Sequence, residues 1–180
     1  MILHVANLGN PVLRKKAQPV SPEKIQDPIF QNFCSDLMES MRFHDGVGLA
    51  APQVFLSQRV VAVWVPPEMD EAGEGLEQAI YINPVITPIG DEMEDGWEGC
   101  LSLKDLRGVV PRHVRVHIDA LDRTGKPVSL DLNGFSARVF QHELDHLDGI
   151  VFVDRMPDTS SLVFLDEMER YGEPGEEGQE

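Results

Sequence analysis

Two histidines four positions apart flank a glutamate in "QHELDH", residues 141–146. On a helix, residues i and i+4 share a face, so His142 and His146 can offer both imidazoles to one metal ion. Glu143 then stands beside the ion rather than on it, where a carboxylate can act as a general base toward water. A hydrolytic site of this kind needs a third protein ligand and one open position. No histidine follows His146. The downstream acids Asp148, Asp154 and Asp158 are candidates, and so is Cys100 upstream, in the glycine-bearing stretch "GWEGCLSL" at 96–103, read as a loop. A third segment, "GVGLAAPQV" at 46–54, places two glycines around Val47, where backbone can approach a ligand closely. Gln53 follows with an amide able to donate to an oxyanion.

These segments need positioning elements, and the hydrophobic pattern supplies them. "SARVFQHELDHLDG" (136–149) reads as a helix, with Ser136 as its cap and Gly149 just past its end. Its apolar members Ala137, Val139, Phe140, Leu144 and Leu147 place both histidines near the buried side. "DPIFQNFCSDLMESMRF" (27–43) reads as a second helix, capped by Asp27 with Pro28 at the first position. Ile29, Phe30, Phe33, Cys34, Leu37, Met38 and Met41 form its stripe, which makes Cys34 a core residue. A short helix is expected over 9–17 and a last one over 160–172. "RVVAVWV" (59–65), "VRVHIDAL" (114–121) and "KPVSLDLNG" (126–134) read as strands, and "AIYINPVITPIG" (79–90) as one or two short strands broken by Pro84 and Pro88. Residues 66–78 read as an acidic loop. The expected fold class is α+β, with mainly antiparallel sheets around a central metal-binding helix and helices toward both ends.

Length and charge narrow the function. The 180 residues suit a single catalytic domain over 1–172, with 173–180 an acidic and disordered tail. The formal net charge of −16 argues against a nucleic-acid-binding surface. From Asp166 onward there are seven acids and one arginine, a local net of −6. Two cysteines make no disulfide scaffold, and no stretch reads as a membrane span or a signal peptide.

Taken together, "GVGLAAPQ" (46–53), "EGCLS" (98–102) and "HELDH" (142–146) resemble the three signatures of the peptide deformylases, in the family's order and spacing. The likeness extends through "NPVLRKKAQPV", "LRGVVPR" and "GFSARVFQHELDHLDGIVFVDR" to about residue 156. The resemblance implies a metal-dependent hydrolase that removes the formyl group from N-formylmethionyl nascent polypeptides and releases formate. It implies Cys100, His142 and His146 as ligands to one divalent ion, with water in the fourth place. Fe(II) is the implied ion, replaceable by zinc, nickel or cobalt. Glu143 is the implied base and then acid, with Gln53 and the Leu101 N–H holding the formyl oxygen. Gly46, Val47 and Gly48 would pair with substrate backbone like an added strand. Val47, Trp97, Val139 and the stem of Arg107 are candidates for the methionine pocket. Asp145 and Arg112 read either as a buried pair that fixes the helix or as two exposed charges, and Glu98 as orienting a backbone group or Arg107.

The expected partners are formylmethionyl peptides near the ribosome, without nucleic-acid or membrane binding. The expected compartment is the bacterial cytoplasm, or an organelle if a transit peptide has been removed. "LKD" (103–105) departs from the family's usual residues after the second signature, leaving preference beyond methionine open. The acidic end argues against docking through a basic C-terminal helix. Two other readings belong beside this one: an H-E-x-x-H endopeptidase, and a non-catalytic module holding a structural metal.

Overall fold

The structure, a computed structural model, describes residues 1–70 and 73–173. All but one residue of the expected acidic tail (173–180), and part of the acidic loop at 66–78, lie outside the described residues.

Among the described residues, eight strands form two antiparallel sheets. The larger contains β1 (Gly48–Ala50), β2 (Val60–Val65), β3 (Leu76–Pro88), β6 (Arg115–Leu121) and β7 (Pro127–Asn133), in the order β1-β2-β3-β6-β7. The smaller contains β4 (Met93–Cys100), β5 (Leu103–His113) and β8 (Val163–Phe164). The helices are α1 (Pro22–Ile25), α2 (Pro28–Phe43), α3 (Gly134–Leu147) and α4 (Leu165–Tyr171). The fold is α+β, with α3 contacting strands of both sheets.

Strand β2 explains the layering. It is apolar at almost every position because both of its faces are covered. Val60 and Ala62 pack with Phe30, Cys34, Leu37 and Met41 of α2. Val61, Val63 and Val65 pack with Ala137, Phe140, Leu144 and Leu147 of α3. The Phe140 ring meets Tyr81 edge-on at 4.8 Å, fixing the helix on the sheet. The α2 start is as expected: the Asp27 side chain accepts from Ile29 N–H, and Pro28 opens the helix. Ile29 is not part of the stripe. It is 78% exposed, one helical step from the buried row that Phe30 begins. Cys34 is fully buried, and burial pushes its thiol up to about 11, which suits an inert core residue.

Several elements differ from expectation. Pro84 does not break β3. Asn83 adopts a left-handed φ of 52° and the register shifts between Ile82 and Val85, so the strand continues through a bulge. Its first half pairs with β2 and its second with β6, so Pro84 interrupts neither ladder. Helix α3 begins at Gly134, not at Ser136; Asn133 is the cap residue and makes no side-chain capping bond. The last helix is shorter than expected, because Val163 and Phe164 pair with Arg107 and Leu106 of β5 before the chain turns helical. The expected short helix at 9–17 is a 3-10 turn, Pro11–Arg14, capped by Asn10. The stretch carrying Cys100 is no loop: β4 and β5 form a hairpin that ends on that cysteine. Pro111 lies inside β5, one residue before Arg112. Among the described residues, no helix is long and apolar enough to cross a membrane.

Candidate active site

The hairpin β4–β5 brings Cys100 against α3. Its Sγ lies 3.3 Å from His146 Nε2, and one ligand atom from each of Cys100, His142 and His146 lies within 4.8 Å of the others. The downstream acids are occupied elsewhere: Asp148 with Arg59 and Lys16, Asp154 with Arg14, and Asp158 with Ser160. Cys100 therefore completes the set that the two histidines begin.

The electrostatics fit a divalent cation. Burial opposes ionisation of the Cys100 thiol, yet the facing imidazoles of His146 and His142 carry it well below its ordinary value. The Ser102 N–H adds a 3.4 Å donor to the sulfur. His142 Nδ1 lies 2.8 Å from Glu98 Oε2. An ionised carboxylate only accepts, so Nδ1 carries a proton toward Glu98 and Nε2 is the nitrogen left for a metal. Metal binding would displace the second proton, which burial opposes but Cys100 and Glu98 favour on this imidazole. Glu98 stays ionised: burial would raise its pKa, but His142 and Arg112 hold it at about 2. A soft thiolate and two neutral imidazoles form a chemically complete three-ligand set for a first-row metal.

Glu98 does not reach Arg107 as expected. Arg112 grips it through Nε and Nη2 at 2.8 and 3.0 Å, and Arg138 Nη1 lies 3.2 Å away. The Arg112–Asp145 pair is present and buried, at 2.6 Å, and Arg155 adds a second partner to Asp145. One chain of charges thus ties the hairpin to the ligand helix. Truncating one member of such a buried pair strands the other. Arg112→Ala is expected to cost about 3–5 kcal/mol of stability and to lower metal content. Denaturant unfolding and elemental analysis of the same preparation check both.

Arg138 was not foreseen, although it stands one turn before His142 on the same face. It donates to Val110 O at 2.7 Å and Glu94 O at 2.8 Å, fastening α3 to both strands of the hairpin. Phe152 was also missed; its ring stacks on His142 at 6.4 Å between centroids and 22° between planes.

Glu143 is buried, and its Oε2 has no hydrogen-bond partner among the described residues. Burial pushes its carboxyl up to about 7, against the pull of the His142 and His146 imidazoles. It lies directly over Gly48, where any side chain would collide with the carboxylate. β1 is an edge strand, and Trp64 N–H donates to Val47 O at 2.9 Å. By the alternation of an antiparallel ladder, Gly48 then turns its N–H and C=O away from β2. Gln53 accepts from Ala50 N–H through Oε1 at 2.8 Å. That aims its Nε2 at Ser102 Oγ, 3.2 Å away, and at the Cys100 sulfur, 3.5 Å away.

A single cavity of about 720 Å³ reaches Cys100, His142, Glu143 and Gln53. Gly46, Val47, Gly48, Trp97, Leu101, Arg107 and Val139 also line it, so the expected site residues other than His146 share one space. His146 is almost fully buried behind the thiol. Gly99 has no side chain because the Arg107 guanidinium lies where its Cβ would be.

A family model described as Polypeptide deformylase matches residues 2–161. Peptide deformylase 1 of Prochlorococcus marinus is 44% identical over 95% of this chain and 89% of its own length. Peptide deformylase 2 of Nostoc sp. is 41% identical over 92% of each. Among solved structures, the Met-Ala-Ser-bound class I type b peptide deformylase of Acinetobacter baumannii superposes with a TM-score of 0.80. It is 37% identical and covers 87% of this chain and 99% of its own. The Thermotoga maritima peptide deformylase gives a TM-score of 0.77 at 37% identity, covering 88% and 99%. The chain belongs to the polypeptide deformylase family.

Proposed function

We propose that this chain is a metal-dependent hydrolase that cleaves the formyl group from the N-formylmethionyl end of nascent polypeptides, releasing formate and a free amine. The observation that carries the reading is Glu143: a buried carboxylate oxygen without a partner among the described residues, in the cavity that also reaches Cys100 and His142 of the Cys/His/His triplet. The binding of Met-Ala-Ser, a deformylated N-terminus in chemical terms, by the Acinetobacter baumannii relative supports the substrate class.

Cys100, His142 and His146 hold the ion in this reading. When bound, the ion supplies Lewis acidity, which makes water nucleophilic near neutral pH and polarises a carbonyl oxygen. Fe(II) is the proposed working ion, following the family resemblance, and zinc, nickel or cobalt suit the same donors. Glu143 takes the proton from the attacking water, holds it on its carboxylate, and returns it to the amine as the C–N bond breaks. Gln53 Nε2 and the Leu101 N–H donate to the formyl oxygen as it gains charge. Losing one such donor costs about 10²–10³ in kcat, so Gln53→Ala should lose that much turnover and keep its metal. Steady-state kinetics with elemental analysis check this.

The free edge of β1 at Gly46–Gly48 would pair with substrate backbone, while Val47, Trp97, Val139 and the Arg107 stem enclose the methionine. Nascent chains near the ribosome in the bacterial cytosol are the proposed setting. The function is tested by anaerobic assay of protein loaded with a single defined metal, using formyl-Met-Ala and an internal amide peptide. Formate release from the first alone is expected. Cleavage of the internal amide instead would make the protein an endopeptidase.

A further inference from the structure

The cavity, about 720 Å³, is larger than one formylmethionyl group needs, and its lining includes residues given no role above. Phe43, the last residue of α2, and Met69, in the 3-10 turn Pro67–Met69 after β2, are among them. They are 65% and 49% exposed, large apolar side chains left open at the mouth of a cleft. Leu165 and Met168 line the same cavity. They stand three apart on α4 and are half-buried, while Asp166, Glu167, Glu169 and Arg170 are exposed. α4 is therefore amphipathic, with its apolar side against the cleft. Its place is set by β8, whose Val163 pairs with Arg107. The C-terminal segment thus continues the wall that Arg107 begins, and it follows the 2–161 stretch that the family model matches.

We propose that Phe43, Met69, Leu165 and Met168 form a second apolar subsite, taking the side chains of the third and fourth substrate residues. Formylated chains with apolar residues at those positions are then the preferred substrates. The inference rests on the deformylase reading and deepens it. A peptide lying along the edge of β1 points successive side chains to opposite sides, so residues beyond the methionine reach both walls. The cavity's size, about 720 Å³, is that of sites enclosing ligands much larger than one amino acid.

The test compares formyl-Met-Ala, formyl-Met-Ala-Leu-Phe and formyl-Met-Ala-Ser-Ser on the metal-loaded full chain. The unaltered protein should prefer the Leu-Phe peptide over the Ser-Ser peptide by about tenfold in kcat/KM, carried by KM, the discrimination one or two apolar groups provide. Leu165→Ser/Met168→Ser should erase that preference and leave formyl-Met-Ala turnover unchanged. Phe43→Ser, on a different element, should weaken the same preference, so the test survives if the double variant unravels α4. Equal kcat/KM for the two tetrapeptides in the unaltered protein would overturn the proposal. So would a uniform loss on all three peptides in both variants. Failure of the unaltered protein to release formate from formyl-Met-Ala would instead remove the deformylase reading itself.

Discussion

Glu143→Ala is expected to fold, to retain its metal, and to lose about 10²–10⁴ in kcat for formyl-Met-Ala, the range that a positioned acid–base group contributes. The carboxylate ligates nothing in the proposed centre, so its loss leaves Cys100, His142 and His146 intact. It is also buried with one oxygen unpartnered. Removing it relieves a desolvation cost rather than breaking a bond, so the denaturation midpoint should not fall. Glu143→Gln sharpens the comparison, because it keeps the shape over Gly48 and abolishes proton transfer. Formate assays, elemental analysis and thermal melts on one preparation check all three parts. A variant that kept near-normal turnover would remove Glu143 from the chemistry. One that lost its metal would make Glu143 a ligand.

The second large effect is expected at the sulfur. Cys100→Ser replaces a thiolate with a hydroxyl that stays protonated near neutral pH and binds soft metals poorly. Loss of even a residue that merely orients a ligand costs 10- to 100-fold in metal affinity, so loss of the ligand should exceed about 100-fold, and turnover should fall with occupancy. Cys34→Ala is the control. That thiol is sealed in the α2 face of the core, so its removal should cost stability and leave metal content unchanged. Competition with a chelator measures both. Equal metal retention in the two variants would contradict the role of Cys100.

Local chemistry was the legible part of this sequence. The spacing of His142, Glu143 and His146 fixes their common helical face without reference to the rest of the chain. The apolar residues around them correctly placed that face toward the core. What joins them from afar was one candidate among several, Cys100 beside Asp148, Asp154 and Asp158, until the resemblance of "EGCLS" singled out the cysteine. The hairpin that delivers Cys100 was hidden, because "MEDGWEGC" lacks the alternation of β-branched and aromatic residues that marks a strand. The structure supplies the reason. Gly96 and Gly99 leave room for the Arg138 and Arg107 guanidinium groups, which lie where side chains would stand. Charge pairing was half legible: Arg112 with Asp145 was one of two readings, whereas the partners of Glu98 depend on which strands adjoin. β3 was misread as broken because a proline usually ends a ladder. Here its two halves pair with different neighbours.

Metal-edge X-ray absorption on protein loaded with cobalt or zinc tests the centre most directly. One sulfur at about 2.3 Å, two nitrogens at about 2.0–2.1 Å and one oxygen at a solvent distance are expected. The sulfur should vanish in Cys100→Ser. A spectrum without sulfur, or with four protein ligands closing the site, would contradict the assignment of Cys100, His142 and His146 as an open hydrolytic centre.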